Sequence, residues 1–155
     1  MFRKNKDESH AGRDTEESPS PILDPKEKTT STTKNLPAKP LELHVGPTTL
    51  SLPFNQQRAA ELKAALALLL ATFAEKAKAE RPKRWQSLEY KFRSGDEEGN
   101  STPPGIALFE VFCNPNAAAS PFDAKVLVTV KSTDGGVGFT TEAPLSALRA
   151  DLEAY

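Results

Sequence analysis

The sequence predicts a single α+β domain preceded by a flexible N-terminal arm, and two observations lead to this prediction. First, residues 1–39 contain only five bulky apolar residues, and the remainder is rich in charge, Ser, Thr and Pro. Such a segment buries too little surface to offset the entropy lost on ordering, so we expect a disordered arm over residues 1–40. Second, apolar residues recur at helical and strand-like spacings over residues 41–155, which indicates one folded domain.

Two strands and a long helix are predicted at the start of this domain. Residues 41–45 and 48–52 alternate between apolar and polar side chains, and Gly46-Pro47 separates them, so a hairpin and one bent strand both fit. Leucines then repeat at helical spacing over residues 55–80, behind Asn55 as a suitable N-cap.

A second, short helix is predicted over residues 82–92. Proline at position 82 suits the first turn of a helix. Trp85, Leu88 and Phe92 follow at helical spacing and would share the buried face of this helix.

Three strands and a closing helix are predicted for the rest of the domain. Residues 106–113 are apolar on both faces, as in a central strand, and residues 125–131 alternate as in a half-buried one. Asp134-Gly135-Gly136 indicates a turn before a strand over residues 137–141, and Pro144 opens a helix with a leucine stripe. The predicted fold is therefore α+β, an antiparallel sheet with a long, a short and a C-terminal helix packed on one face.

Composition restricts the classes of function. The formal net charge is −1, which argues against a protein that coats nucleic acid or an acidic membrane with its whole surface. Cys113 is the only cysteine, so a reducing, cytoplasmic compartment is expected. The N-terminus lacks the apolar stretch of a secretory signal, and the apolar stretch around residues 64–74 is too short to span a membrane.

Catalytic and metal-binding groupings are sparse in the sequence. Cys113 and His44 could form a nucleophile–base pair, but Cys113 ends an apolar strand, where a cysteine is usually a small buried hydrophobe. Glu110 interrupts the same strand, and exposure or pairing with a basic residue explains it more simply than a role as a general acid. We therefore expect no enzymatic activity, no cofactor and no metal site.

A basic segment over residues 76–93 is the first candidate binding site. On the predicted short helix, Lys83, Arg84 and Lys91 would lie opposite the buried face, with Tyr90 near them. Cations interleaved with aromatic residues are typical of nucleic-acid binders, but a solvated helix face has the same composition.

The loop over residues 114–123 is the second candidate. It is longer than a tight hairpin needs, contains two prolines, and ends in Phe122 and Asp123. In one interpretation Phe122 anchors a partner and Asp123 contributes to the same binding surface. In the other, Phe122 folds back on the core and Asp123 makes a local turn bond.

These observations favour a non-catalytic accessory or regulatory protein that binds another macromolecule. A protein partner is expected, through Lys83, Arg84, Tyr90, Lys91, Phe122 and Asp123; nucleic-acid binding through the basic segment is the alternative. The oligomeric state stays open, because the sequence does not reveal which strand lies at a sheet edge.

Overall fold

The structure is a computed structural model that describes residues 39–96 and 102–155. The predicted arm lies outside the described residues except for Lys39 and Pro40. The elements follow in this order: β1 (Leu41–Val45), β2 (Thr48–Leu52), α1 (Gln56–Lys78), β3 (Leu88–Arg93), β4 (Ile106–Cys113), β5 (Lys125–Ser132), β6 (Gly138–Pro144) and α2 (Leu145–Ala154).

The first two strands form a hairpin rather than one bent strand. Leu41 pairs with Leu52 and Leu43 with Leu50 in an antiparallel register. Gly46 makes the turn with a φ of 58°, a left-handed conformation that glycine adopts without steric cost.

The long helix α1 begins and ends close to the predicted positions. The side chain of Asn55 accepts a hydrogen bond from the Arg58 N–H at 2.8 Å, which confirms the predicted N-cap. Leu62, Leu66 and Leu69 lie on its buried stripe, as expected from their spacing.

Strands β3 to β6 form a four-stranded antiparallel sheet in sequence order. Val111 of β4 pairs with Val128 of β5 on the buried inner face, which packs against α1 and α2. The opposite face, called here the open face, carries charged and polar residues together with Leu108, Phe112 and Leu127. The predicted α+β class and antiparallel sheet are confirmed, and β4 is a central strand as expected.

The predicted short helix over residues 82–92 is wrong. Residues 82–87 have no regular secondary structure, and residues 88–93 form the edge strand β3, so the described residues contain two helices rather than three. Leu88, Tyr90 and Phe92 also alternate with charged residues, which is the two-residue period of a strand. Tyr90 pairs with Val111 and Phe92 with Phe109, and this pairing with β4 stabilises the strand rather than the helix.

One hydrophobic core joins all these elements. Phe54 lies at its centre, with ring centroids 5.1 Å from Phe109 and 5.9 Å from Phe92. The C-terminal helix closes the core with Leu145, Leu148 and Leu152, the stripe predicted from the sequence. Neither helix in the described residues is long and apolar enough to cross a lipid bilayer.

Candidate functional site

The loop between β4 and β5 carries the most exposed large apolar side chain in the described part of the chain. Phe122 has 85% of its surface exposed, so it does not fold back onto the core. Asp123 makes local turn bonds, one of the two alternatives: its carboxylate accepts from the Ser120 hydroxyl at 2.7 Å and its N–H donates to the Ser120 carbonyl at 3.2 Å. These bonds fix the backbone beside Phe122, whose ring projects from the loop into solvent.

A lysine from α1 fixes the first half of this loop. The Lys76 ammonium donates to the carbonyls of Pro115 and Ala118, at 2.7 Å and 2.6 Å. A charged donor makes stronger hydrogen bonds than a neutral one, so Lys76 ties the end of α1 to the loop. In the sequence Lys76 is one cation of the basic segment, and its role in the loop is not visible there because the pairing joins residues about 40 positions apart.

A groove between α1 and α2 begins beside Phe122. Its first part has a volume of about 230 Å³, and its walls include Phe122, Leu70 of α1 and Leu145 of α2. It continues into a second part of about 290 Å³, and the two parts share Leu70, Arg149 and Glu153. The sequence could not reveal this groove, because it forms only where the two helices meet.

The rims of the groove are charged. Lys63 lies on the α1 side. On the α2 side, Arg149 Nε donates to Glu153 Oε1 at 2.8 Å. Over these three residues the rim carries a net positive charge.

The residues of the basic segment lie in different environments. The Lys83 ammonium lies 4.2 Å from the centre of the Trp85 ring, and Arg84 is exposed. Trp85 itself is buried, as predicted, although it lies in a segment without regular structure rather than on a helix. Asn116 holds that segment with two hydrogen bonds, because its side chain accepts from the Trp85 N–H at 2.8 Å and donates to the Trp85 carbonyl at 2.7 Å.

Tyr90 and Lys91 do not share a surface, contrary to the prediction from a helix. They are neighbours on a strand, so Tyr90 points to the inner face and Lys91 to the open face. The predicted group of Lys83, Arg84, Tyr90 and Lys91 is therefore not brought together.

Tyr90 belongs to a polar cluster beneath β3. Its hydroxyl donates to Glu61 at 3.0 Å, and Glu61 also accepts from Arg58 at 2.9 Å. Arg58 stacks over the Phe92 ring, with its guanidinium carbon 4.7 Å from the ring centre. Burial, and after it the hydrogen bond to the Glu61 carboxylate, raises the pKa of Tyr90 well above its usual range.

The groups considered for catalysis lie in different environments. Cys113 is 1% exposed on the inner face, and burial raises the pKa of its thiol. His44 is exposed and bonded to Asp151 of α2, with Nδ1 2.6 Å from Oδ1. Glu110 is half-buried on the open face opposite Lys91. Within the described ranges, no three His, Cys, Asp or Glu side chains are grouped so that they could hold a metal ion.

Comparisons with known proteins identify no relative. No protein-family model matches the chain, and neither do the curated proteins or the solved structures.

Proposed function

We propose that this chain is a non-catalytic accessory or regulatory protein of the cytoplasm, and that it binds a partner protein through Phe122 and the groove between α1 and α2. The single observation that carries the proposal is the exposed Phe122 ring, held outward by a fixed loop at one end of an apolar groove. Aromatic side chains of this kind contribute a large share of binding energy when a partner covers them.

The shape and charge of the groove suggest the form of the partner. Two helices with apolar walls between them suit an amphipathic helix that inserts its apolar face. The net positive rim, with Lys63 on the α1 side, favours a helix with an acidic residue beside its apolar face. The proposed occupant is therefore a short amphipathic, acidic helix of another protein.

The environment of Cys113 supports the non-catalytic part of the proposal. A buried thiol with a raised pKa has little thiolate at neutral pH and little access to a substrate. His44, the candidate base, is instead bonded to Asp151.

Nucleic-acid binding through the basic segment is less favoured by the geometry. Trp85 is buried, and Lys83 covers its ring. Tyr90 points to the inner face, where its hydroxyl is bonded to Glu61. Neither aromatic ring is presented as a stacking platform, which leaves exposed cations without the aromatic component of such sites.

Affinity purification from the native cell, with and without nuclease, tests the proposal. The wild-type chain is compared with Phe122→Ala and with Val137→Ala as a matched control. Val137 is also an exposed apolar residue, at 62%, but it lies in the turn after β5, whereas the loop with Phe122 precedes β5. Both side chains are largely exposed, so neither change should alter folding.

We expect one protein to be retained by the wild type and by Val137→Ala and to be lost with Phe122→Ala. With that protein purified, Phe122→Ala should raise the dissociation constant about 30-fold, as for a central interface aromatic. Recovery of the same proteins with Phe122→Ala would refute the proposal. Loss of all binding after nuclease treatment would refute it in favour of the nucleic-acid alternative.

A further inference from the structure

We propose that two copies of this chain pair antiparallel through β3 and join their four-stranded sheets into one continuous sheet of eight strands. Within the described ranges, β3 lies at one end of the sheet and has β4 as its strand neighbour, so its other edge is unpaired. At the opposite end of the sheet, β6 has β1 packed beside it. An unpaired edge strand is a template for another strand.

The outward backbone groups of β3 can be identified. The Ser94 N–H donates to the Ala107 carbonyl at 3.0 Å, so the backbone of Ser94 points toward β4. Alternate residues of a strand point their N–H and C=O groups the same way. The groups of Glu89, Lys91 and Arg93 therefore point away from β4, to the free edge.

One register makes this edge complementary to itself. If Tyr90 lies opposite Tyr90 of the second copy, Glu89 lies opposite Lys91 of that copy, and Lys91 opposite its Glu89. Both of these are hydrogen-bonded pairs, because the outward backbone groups are those of odd-numbered residues, and each pair exchanges two N–H···O bonds. The interface then contains two oppositely charged cross-strand pairs on the open face.

Charge on this strand thus favours pairing with its own copy. A lysine on an edge strand ordinarily discourages association. Here Lys91 already lies 2.7 Å from Glu89 on the same strand, and that contact raises the pKa of Lys91. In the proposed register the four side chains of the two copies form an alternating group of two cations and two anions.

Apolar surface near this edge continues the interface on the inner side. Leu88 and Tyr90 are only partly buried, and in the same register Leu88 lies opposite Phe92 of the second copy. Leu68 of α1 is 72% exposed. It is two helical turns from Glu61, which contacts Tyr90, so Leu68 lies on the side of α1 nearest β3.

Light scattering or sedimentation of the purified full chain over a concentration series tests the proposal with two charge reversals. Glu89→Lys places lysine opposite lysine in the dimer, and Lys91→Glu places glutamate opposite glutamate. Mixed in equal amounts, the two variants again form opposite charges at both positions. Lys131→Glu is the control, because Lys131 shares the open face but belongs to the interior strand β5.

We expect a wild-type dimer, and a dissociation constant about tenfold higher for either single variant, because two cross-strand attractions become repulsions. The equimolar mixture should recover dimers, all of them mixed, and Lys131→Glu should dimerise like the wild type. A wild-type chain that stays monomeric over the series would overturn the proposal. Dimers that tolerate both single variants, or a mixture that does not recover them, would also overturn it.

Discussion

Lys76→Met tests whether the loop that carries Phe122 depends on its bonds to α1. Methionine keeps an apolar stem of similar length but removes the two hydrogen bonds to the carbonyls of Pro115 and Ala118. A buried hydrogen bond that involves a charged group contributes about 1.5–3 kcal/mol to the free energy of unfolding. Because Lys76 is only partly buried, solvent replaces part of this loss, and we expect a decrease of about 2 kcal/mol in the free energy of unfolding.

Urea unfolding of Lys76→Met beside Lys78→Met separates this effect from a general loss of charge. Both lysines lie in the last turn of α1 and both favour the negative end of the helix dipole, an effect of about 0.5 kcal/mol for each. Lys78 is exposed. Hydrogen exchange should also become faster at the Ala117 N–H, which bonds to the Asn114 carbonyl within the loop. Equal destabilisation by the two substitutions would refute the reasoning.

Two further predictions concern Asn116 of this loop and Tyr90 of β3. Asn116→Ala removes both side-chain bonds to the Trp85 backbone and should lower the free energy of unfolding by about 2 kcal/mol. The fluorescence of Trp85 in the folded protein should also shift to the red. An unchanged spectrum would contradict the proposed role of Asn116. Because the pKa of Tyr90 is raised in the folded state, its contribution to stability is complete below about pH 10 and is lost as the pH rises further toward the folded-state pKa. The decline in stability measured by urea unfolding above pH 10 should therefore be smaller in Tyr90→Phe than in the wild type, and equal slopes would contradict the assignment.

Elements that depend on local patterns were predictable from the sequence. The start of α1 follows from Asn55 and from the leucine spacing, since both signals lie within the helix itself. The valines of β5 and the glycine turn before β6 are equally local signals, and Gly135 has the expected positive φ of 71°.

The sequence predicts a helix where the edge strand β3 lies, because the residues there fit two periods. Trp85, Leu88 and Phe92 are spaced as on a helix, while Leu88, Tyr90 and Phe92 are spaced as on a strand. Seven or eight residues are too few to separate these patterns. Pairing with β4, about 20 residues away, and the clamp by Asn116 decide the outcome, and neither is visible from residues 82–92 alone.

The same limit applies to the candidate sites. Phe122 and Asp123 could be singled out from a loop that is long and rich in proline, but whether Phe122 is exposed depends on how the loop is held. The loop is held to α1 by Lys76, which bonds to loop residues about 40 positions away in the sequence. The complementarity of Glu89 and Lys91 follows only once β3 is known to be a strand with one unpaired side, which the sequence does not show.

The two proposed surfaces lie on different sides of α1, so they can be tested independently. Leu70 lines the groove, whereas Leu68, two residues and about 200° away around the helix, lies on the β3 side. Reversing charges on β3 should therefore leave capture of the partner protein unchanged, and Phe122→Ala should leave the association of two copies unchanged. A dimer through β3 would expose both grooves, and two linked sites bind a partner with two copies of its helix more tightly than either site alone.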